Sequence, residues 1–333
     1  MILIDVDDSS EDIIMKRCIE EDNNIGLVGY GDYNRQVIVP DSRYKVFINQ
    51  EVLLRIGGFD RNTKSESATI IDIALKAIKM GYKNINIKCP YPMIKNNIES
   101  EYYEPDMEYL KKVYKMNYFN FTGNPFIVNS VNTDNRDNHI KVLEIGCDLG
   151  ATLLDIKNKY PNATIVGTDI NESAIKIAEN ILDTAFIGNI EDDDTKIHPD
   201  YYDYIIFGDV LEHLRDPLKV LIKVRDSLTD NGKIVACIPN LAHISVMKEL
   251  IKGNFTYTDR GLLDKTHIHF FTGLEIKRMF DEAGYKLLSI SSLQTNPDKE
   301  ERELMDLLMT KSKDYVDRTH YTTFQYLCTA IKK

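Results

Sequence analysis

Two histidines stand in segments of this sequence where an imidazole can take part in acid–base chemistry. His213 lies in GDVLEHL and His267 in LLDKTHIHFF, and each segment follows an apolar run that predicts a β-strand. Because histidine titrates near neutral pH, it can take a proton from a hydroxyl group that is to act as a nucleophile. We predict that one of the two is a general base and that the other orients the acceptor, with His267 favoured as the base. The alternative for His213 is a structural role, in which it packs the start of a helix.

Acidic residues beside His213 indicate a second possible chemistry. Asp209, Glu212 and His213 are spaced so that one face of a helix would carry all three. Together with His267 they would offer oxygen and imidazole ligands to a divalent cation. We predict a site without a metal and keep the bound cation as the alternative.

A glycine-containing turn precedes these segments, in KVLEIGCDLG over residues 141–150. An apolar run leads into Gly146 and Gly150, but Asp148 takes the place of the second glycine of a dinucleotide-binding G-x-G-x-x-G sequence. Aspartate tolerates the backbone of such a turn better than most residues. Glu144, two residues before the first glycine, would repel a pyrophosphate and would suit a cationic amine.

Two further polar residues follow the next predicted strands. Asp169 comes 25 residues after Glu144, where an acid can accept hydrogen bonds from both hydroxyls of a ribose. Asn189 follows the third predicted strand and could bind an adenine edge through its amide. The predicted ligand therefore has a ribose, an adenine and an amino group but no phosphate. S-adenosylmethionine fits this description better than NAD.

Strands and helices alternate regularly after residue 140. Short apolar runs predict five strands in KVLEIGC, ATIVGTDI, TAFIGNI, YDYIIFGDV and GKIVACIPN. Amphipathic segments between them, such as ESAIKIAENI, predict helices that cover both faces of a parallel sheet. YKLLSISSLQ and TTFQYLCTAIKK predict a final pair of strands around a charged helix near 299–316. The expected fold is α/β with a Rossmann-like sheet of seven strands, in which ligands bind at the carboxyl ends of the strands.

Composition narrows the class of protein. The chain has 333 residues, a formal net charge of −11 and five dispersed cysteines without a C-x-x-C pair. The negative charge argues against nucleic acid as a partner, and the scattered cysteines are typical of reduced thiols. The sequence has no apolar run long enough to span a membrane and no signal peptide is recognised at its start. We predict a soluble, cytoplasmic protein.

Residues 140–290 resemble the class I S-adenosylmethionine-dependent methyltransferases, close to the branch of the ubiquinone-biosynthesis O-methyltransferases. The segments that carry the resemblance are VLEIGCDLG, IVGTDINESAIKIAE, DYIIFGDVLEHLRDPLKVL, LTDNGKIVACIPN and GLLDKTHIHFFTGLEIKRMFDEAGY. The resemblance implies that Glu144, Gly146 and Gly150 bind the methionine end of the cofactor. It implies cofactor contacts for the following further residues: Cys147, Asp169, Ile170, Asn189, Ile190 and Asp209.

The chain departs from this family at two positions. Members usually have a small residue at Asp148 and an aspartate at Asn189. Asparagine keeps an acceptor oxygen for an adenine, so the second change is mild. His213 and His267 both fall in segments of the resemblance, and the GDVLEH string is common in relatives without a metal, which supports the metal-free prediction. Some RNA 2′-O-methyltransferases have a similar E-x-x-E-H around a metal ion.

The first hundred residues resemble the second half of a family-2 glycosyltransferase of the GT-A fold. The supporting features are Asp5-Val6-Asp7, in the place of a metal-binding D-x-D, and Ile56-Gly57-Gly58-Phe59-Asp60. We expect the family's nucleotide-binding first half to be missing, since the printed sequence starts at the D-x-D strand. Its catalytic E-D pair is replaced by Thr69-Ile70, and only Asp72 is kept. We predict an inactive remnant, kept for dimerisation or for holding a glycan acceptor.

These observations give three domain ranges and three hypotheses about function. We expect a glycosyltransferase-like remnant over 1–100, a helical linker over 101–139 and a methyltransferase domain over 140–333. The leading hypothesis is O-methylation of a sugar or glycan intermediate. The second is O-methylation of a small molecule of the quinone or phenol type. The third is a non-catalytic binding or scaffold protein, and a homodimer through the N-terminal domain is a further possibility.

Overall fold

The computed structural model describes residues 10–40, 46–88, 101–133, 139–195 and 197–333. The D-x-D at Asp5–Asp7 lies outside the described residues. The chain divides into two compact units. The first unit comprises Met1–Gly123, Cys147–Pro161 and Ile165–Ile187, and the second comprises Asn124–Gly146, Asn162–Thr164 and Gly188–Lys333.

Helices and strands alternate along most of the described chain. The helices are α1 (Ser10–Glu21), α2 (Gln50–Arg55), α3 (Glu66–Lys79), α4 (Tyr103–Tyr114), α5 (Pro125–Ser130), α6 (Ala151–Lys159), α7 (Glu172–Ala178), α8 (Pro217–Arg225), α9 (Ile244–Ile251), α10 (Gly273–Glu282), α11 (Lys299–Ser312) and α12 (Thr319–Thr322). The strands are β1 (Ile25–Gly31), β2 (Arg35–Val37), β3 (Val46–Ile48), β4 (Lys83–Lys88), β5 (Lys141–Ile145), β6 (Thr164–Asp169), β7 (Thr184–Ile187), β8 (Tyr202–Gly208), β9 (Leu228–Pro239), β10 (Tyr285–Gln294) and β11 (Thr323–Lys332).

The first unit contains a four-stranded sheet in the order β2-β4-β1-β3. β1 pairs in parallel with β4 and antiparallel with β3, and β2 pairs antiparallel with β4. β1 is buried along almost its whole length, as expected for a central strand rich in apolar residues. α3 covers this sheet and starts at Ser65, whose side chain accepts the backbone N–H of Ala68.

One apolar cluster joins four helices of the first unit. Leu75 of α3 and Leu110 of α4 are completely buried in this cluster, together with Leu154 of α6 and Ile177 of α7. Burial of each such side chain stabilises the fold by about 1.5–3 kcal/mol. α4 therefore contributes to a packed core. The domain ranges given above stay predictions.

The strands from β5 onward form a seven-stranded sheet in the order β10-β11-β9-β8-β5-β6-β7. β8 pairs in parallel with β5 and β9, and β6 pairs in parallel with β7. The last two strands run antiparallel, because β11 lies between β9 and β10 and pairs antiparallel with both. The prediction of an α/β fold with a seven-stranded sheet, including the terminal pair, is confirmed. The GT-A resemblance of the first hundred residues stays a prediction.

Within the described ranges, no helix combines the length and the apolar composition needed to span a lipid bilayer.

Candidate active site

A tight turn after β8 places the acidic and histidine residues of GDVLEH. Asp209 has a left-handed backbone (φ +57°), and Leu211–His213 form one turn of 3-10 helix in place of the predicted α-helical face. The carbonyl of Glu212 accepts the N–H groups of Ile268 and His269, both at 3.0 Å. These two bonds fix the segment that carries His267 beside the turn.

His267 lies almost completely buried, with 8% of its surface exposed. Its Nδ1 is 3.3 Å from the carbonyl oxygen of Leu262, and its Nε2 is 3.9 Å from Oε1 of Glu212. Burial lowers the pKa of His267, and the neighbouring His213 lowers it further. The imidazole is therefore neutral near pH 7.

His213 lies beside His267 but is exposed to solvent. The ring centroids of the two histidines are 4.8 Å apart, in an edge-to-face arrangement. Nδ1 of His213 lies 3.1 Å from the carbonyl oxygen of Thr266. The structure thus brings together the two histidines that the sequence singled out, although they are 54 positions apart.

Glu212 is the most unusual residue of this cluster, because its side chain is fully buried and neither carboxylate oxygen has a hydrogen-bond partner. Burial raises the pKa of Glu212 well above its usual value, and the charges of Asp209 and Asp264 raise it further. Ligand atoms of Glu212, His213 and His267 all lie within 4.8 Å of one another, so these three side chains could hold a metal ion. Asp209 is not a member of this group, and it accepts a hydrogen bond from the amide of Gln325 instead.

The glycine turn of the first unit is organised around Asp169. Oδ2 of Asp169 accepts the backbone N–H of Asp148 at 2.9 Å, and Oδ1 accepts that of Asn171 at 2.8 Å. Asp148 has a left-handed backbone (φ +48°), which confirms that aspartate tolerates this turn. Gly150 also has a positive φ (+84°), and a Cβ there would lie 2.8 Å from Leu182.

The side chain of Asp148 is largely withdrawn from solvent. Its Oδ2 is buried without a hydrogen-bond partner. Burial raises the pKa of Asp148 to about 7, and the charge of Asp169 adds to this effect. A carboxyl group with a strongly raised pKa therefore lies in this turn.

In the second unit, a buried acid and a glycine turn lie at the end of β5. Glu144 is 4% exposed. Gly146 has φ +71°, and a Cβ at this position would lie 2.6 Å from Cγ2 of Val210, so only glycine fits. Asp209 follows β8, where burial raises its pKa to about 6.

The remaining predicted cofactor residues occupy different environments. Asn189 uses its amide within its own loop, since Oδ1 accepts the N–H of Glu191 at 3.1 Å and Nδ2 donates to Asp192 at 3.2 Å. Ile190 and Cys147 are buried, whereas 75% of Ile170 is exposed. Both amide atoms of Asn189 therefore already make a hydrogen bond within the loop. Only the second N–H of Nδ2 and the second lone pair of Oδ1 remain for an adenine.

A group of aromatic rings adjoins His267 through Phe270. Phe270 lies 6.2 Å from His267 and 5.7 Å from Phe255, which in turn lies 5.5 Å from Tyr257, all measured between ring centroids. Phe255 and Tyr257 are 41% and 51% exposed. Leu262 is buried. Neither Phe270 nor Gln325 was predicted from the sequence as a site residue. The two consecutive phenylalanines of HIHFF could have indicated Phe270, whereas no local pattern indicates Gln325.

These features define a class of protein. The seven-stranded sheet is mostly parallel and ends in an antiparallel pair, β11 and β10. This is an α/β fold, in which ligands bind at the carboxyl ends of the parallel strands.

The chain is similar to several known proteins over part of its length. Residues 127–290 match the family model described as a methyltransferase domain. The ubiquinone biosynthesis O-methyltransferase of Thiobacillus denitrificans is 25% identical over 164 residues, which cover 47% of this chain and 69% of that protein. The malonyl-[acyl-carrier protein] O-methyltransferase of Bacillus cytotoxicus is 31% identical over 96 residues, covering 28% and 33% of the two chains. A solved S-adenosylmethionine-dependent methyltransferase from Archaeoglobus fulgidus aligns with a TM-score of 0.41 at 19% identity, over 59% of this chain and 87% of that one.

The protein is an S-adenosylmethionine-dependent methyltransferase, with its methyltransferase domain over residues 127–290. The predictions of the enzyme class and of S-adenosylmethionine as cofactor are confirmed. The roles of the individual site residues stay proposals.

Proposed function

We propose that this enzyme transfers a methyl group from S-adenosylmethionine to a hydroxyl oxygen of a small-molecule acceptor. The observation that carries the proposal is the neutral, buried His267 beside His213, since oxygen methylation requires removal of a proton. Nε2 of His267 is free to accept it, because Nδ1 faces a carbonyl oxygen and carries the hydrogen. The names of the O-methyltransferase relatives support the same reaction.

The proposed cofactor contacts follow the ends of the parallel strands. Glu144 suits the amine, Gly146 and Gly150 allow close approach of the backbone, and Asp169 suits the ribose hydroxyls. The further proposed contacts are Cys147, Ile170, Asn189, Ile190 and Asp209. When bound, the cofactor supplies an electrophilic methyl group on a cationic sulfur.

His267 is the proposed proton acceptor. The acceptor oxygen forms a bond to the methyl carbon as the carbon–sulfur bond breaks, the sulfur leaves as a neutral thioether, and the hydroxyl proton passes to Nε2 of His267. His213 is exposed beside it and is proposed to orient the acceptor. General-base assistance of this kind contributes about 10²–10⁴-fold to the rate.

The acceptor proposed first is a phenol or quinol. Phe255, Tyr257 and Phe270 form a partly exposed group of rings next to His267, and flat aromatic acceptors pack well against such rings. This inverts the order of preference taken from the sequence, which placed a glycan acceptor first. The printed names of several relatives, which refer to ubiquinone biosynthesis, support the inversion.

A sugar or glycan acceptor is the second candidate, supported by the resemblance of the first hundred residues to a glycosyltransferase. We infer that this segment transfers no sugar. Thr69 and Ile70 are buried in α3. Asp72 is also fully buried, where it binds Nζ of Lys76 at 2.6 Å and the hydroxyl of Tyr114 at 2.9 Å. A segment of this kind could pair two copies of the chain or hold a glycan.

The test is an acceptor screen with purified full-length protein. S-adenosylmethionine is incubated with catechols and hydroquinones, with sugar nucleotides, and with primary amines as a contrasting class, and the methylated products are identified by mass spectrometry. We expect formation of S-adenosylhomocysteine with phenolic acceptors. Methylation of amines alone would contradict the O-methyltransferase proposal. Cofactor binding without turnover on every class would favour the scaffold hypothesis.

A further inference from the structure

The carboxyl group of Asp148 lies in the glycine turn of the first unit without a positively charged partner. Its Oδ2 is buried and makes no hydrogen bond. Within the described ranges, no lysine, arginine or histidine stabilises its charge. Buried charges in proteins are normally paired, so an ionised Asp148 lacks the counter-charge that such a group requires.

The carboxylate of Asp169 lies next to this group. Its Oδ2 accepts the backbone N–H of Asp148 at 2.9 Å, and its negative charge acts on the Asp148 carboxyl. The backbone N–H groups of Leu149 and Asn120 act in the opposite direction and favour the ionised form. The turn also carries the thiol of Cys147, whose Sγ faces the carbonyl oxygen of Asp148 at 3.7 Å.

Burial and Asp169 outweigh the two N–H groups, so the pKa of Asp148 is raised to about 7. The carboxyl group therefore changes its charge near neutral pH. A cation placed beside it would favour the ionised form, since an opposite charge at short range lowers the pKa of an acid.

S-adenosylmethionine carries a cation that its product lacks. Its sulfur is a sulfonium, whereas the sulfur of S-adenosylhomocysteine is a neutral thioether, and the ribose, the adenine and the ammonium group are the same in both. The sulfur is bonded to the 5′ carbon of the ribose, and the ammonium group lies further along the chain. Because Asp169 is the proposed ribose contact, the adjacent carboxyl of Asp148 is closer to the sulfonium than to the ammonium group of a cofactor bound in this way.

We propose that Asp148 distinguishes the cofactor from its product, because its carboxylate pairs with the sulfonium of S-adenosylmethionine and has no such partner in S-adenosylhomocysteine. The inference rests on the proposed ribose contact of Asp169 and deepens the proposed function without depending on the acceptor. A protonated Asp148 releases its proton to solvent when S-adenosylmethionine binds. It takes up a proton again after the methyl group has left, and loss of the sulfonium charge then weakens the binding of the product.

The released proton determines how binding depends on pH. Asp148 in the free protein is largely protonated below about pH 7, and removal of this proton opposes the binding of the cation. The affinity for S-adenosylmethionine should therefore rise by about 10-fold between pH 6 and pH 8, with most of the rise below pH 7. The affinity for S-adenosylhomocysteine should stay constant as far as Asp148 is concerned, because this ligand leaves the pKa of the carboxyl unchanged.

The experiment measures ligand binding and proton release without turnover. Purified protein is titrated by calorimetry with S-adenosylmethionine, with S-adenosylhomocysteine and with sinefungin, in which a carbon-bound ammonium group replaces the methylated sulfonium. Each titration is made at pH 6, 7 and 8, and at pH 6 in two buffers of different ionisation enthalpy, which gives the number of protons released. We expect release of about one proton with the two cationic ligands and of none with S-adenosylhomocysteine.

Two variants and a control assign this proton to Asp148. Asp148→Asn keeps the shape of the side chain and should abolish both the proton release and the difference in pH dependence between the ligands. Asp148→Gly should do the same, and glycine adopts the backbone φ of +48° without strain. Asp183→Asn is the matched control on the same unit, since Asp183 binds Lys157, and it should behave as the parent protein does. Circular dichroism verifies that each variant is folded.

The outcomes separate this inference from the proposed function. Proton release that occurs with both cationic ligands, is absent with S-adenosylhomocysteine and is lost in Asp148→Asn supports the inference. The same pH dependence for S-adenosylmethionine and S-adenosylhomocysteine overturns it, as does proton release that persists in Asp148→Asn. Methyl transfer to a phenol in the acceptor screen would leave the O-methyltransferase function intact in both of these cases. Failure of all three ligands to bind overturns the inference together with the proposed function.

Discussion

Nε2 of His267 lies 3.9 Å from Oε1 of Glu212, although the two residues are 55 positions apart in the sequence. The contact exists because the carbonyl of Glu212 accepts two backbone N–H groups from Ile268 and His269. Both side chains of the pair are almost inaccessible to water. Any acceptor oxygen that reaches this pair meets a polar group in a water-poor environment, where electrostatic interactions are strong.

Replacing His267 with alanine should lower the turnover number by about 10²–10⁴-fold, because the ring is proposed to take the proton of the acceptor hydroxyl. The affinity for S-adenosylmethionine should stay unchanged, because the ring is proposed to act on the acceptor. Steady-state kinetics and calorimetry measure the two quantities. His269→Ala serves as the control and should keep its turnover. Equal turnover in His267→Ala and the parent protein would remove His267 from the catalytic residues.

Replacing Asp169 with asparagine should weaken the binding of S-adenosylmethionine. Hydrogen bonds to a charged group contribute about 1.5–3 kcal/mol, which corresponds to roughly 10–100-fold in affinity. Titration calorimetry measures the change. Asp183→Asn is a comparison on the same unit, since Asp183 binds Lys157 and a backbone N–H. Unchanged affinity in Asp169→Asn would contradict its assignment to the ribose.

Asp148 should make the stability of the protein depend on pH. Burial raises its pKa to about 7, well above that of an aspartate in an unfolded chain (about 3.9), so the folded state binds more protons than the unfolded state between these values. Stability contributed by this group is therefore complete below about pH 4 and is lost as the pH rises to about 7. Asp148→Asn should raise the melting temperature at pH 8 relative to the parent protein. This increase should be larger at pH 8 than at pH 4. The same offset at both pH values would show that the carboxyl is not perturbed.

Replacing Gly150 with alanine should destabilise the protein more than the same replacement at Gly253, which has a similar backbone φ. Gly150 and Gly253 have φ values of +84° and +83°, but a Cβ at Gly150 would lie 2.8 Å from Leu182, whereas nothing lies within 4 Å of one at Gly253. The left-handed backbone costs about 1–2 kcal/mol in both variants. Overpacking should add about 1–3 kcal/mol in Gly150→Ala alone. Denaturant unfolding compares them, and equal losses would contradict the close packing at Gly150.

Phe255→Ala should raise the KM for a phenolic acceptor, because the ring is proposed to pack against it. An aromatic pair contributes about 0.5–1.5 kcal/mol beyond the area that it buries, which corresponds to roughly 2–13-fold in KM. Tyr315→Ala is the control, since Tyr315 is 87% exposed. A KM that is unchanged for phenols but raised for sugar nucleotides would shift the acceptor assignment to the glycan class.

The sequence alone determined the fold class, because burial imposes short-range patterns. Short apolar runs such as those of β5, β8 and β9, separated by amphipathic helices, identified a seven-stranded α/β sheet. It also indicated the cofactor class, since the acid before Gly146 and the acid that ends β6 stand at fixed positions relative to their strands. Asp148, which interrupted the glycine pattern, was compatible with the turn, as expected from its residue type.

Tertiary structure decided what depends on residues distant in the chain. The spacing of Asp209, Glu212 and His213 suggested a shared helix face, but the turn after β8 buries Glu212 and directs Asp209 to Gln325 of β11. Only pairing between the turn and the segment at 266–269 brings His267 to Glu212. The pKa of Asp148 likewise depends on its burial beside Asp169. A local pattern predicts which residues carry chemistry, whereas burial and long-range contacts set the charge state and the partner of each.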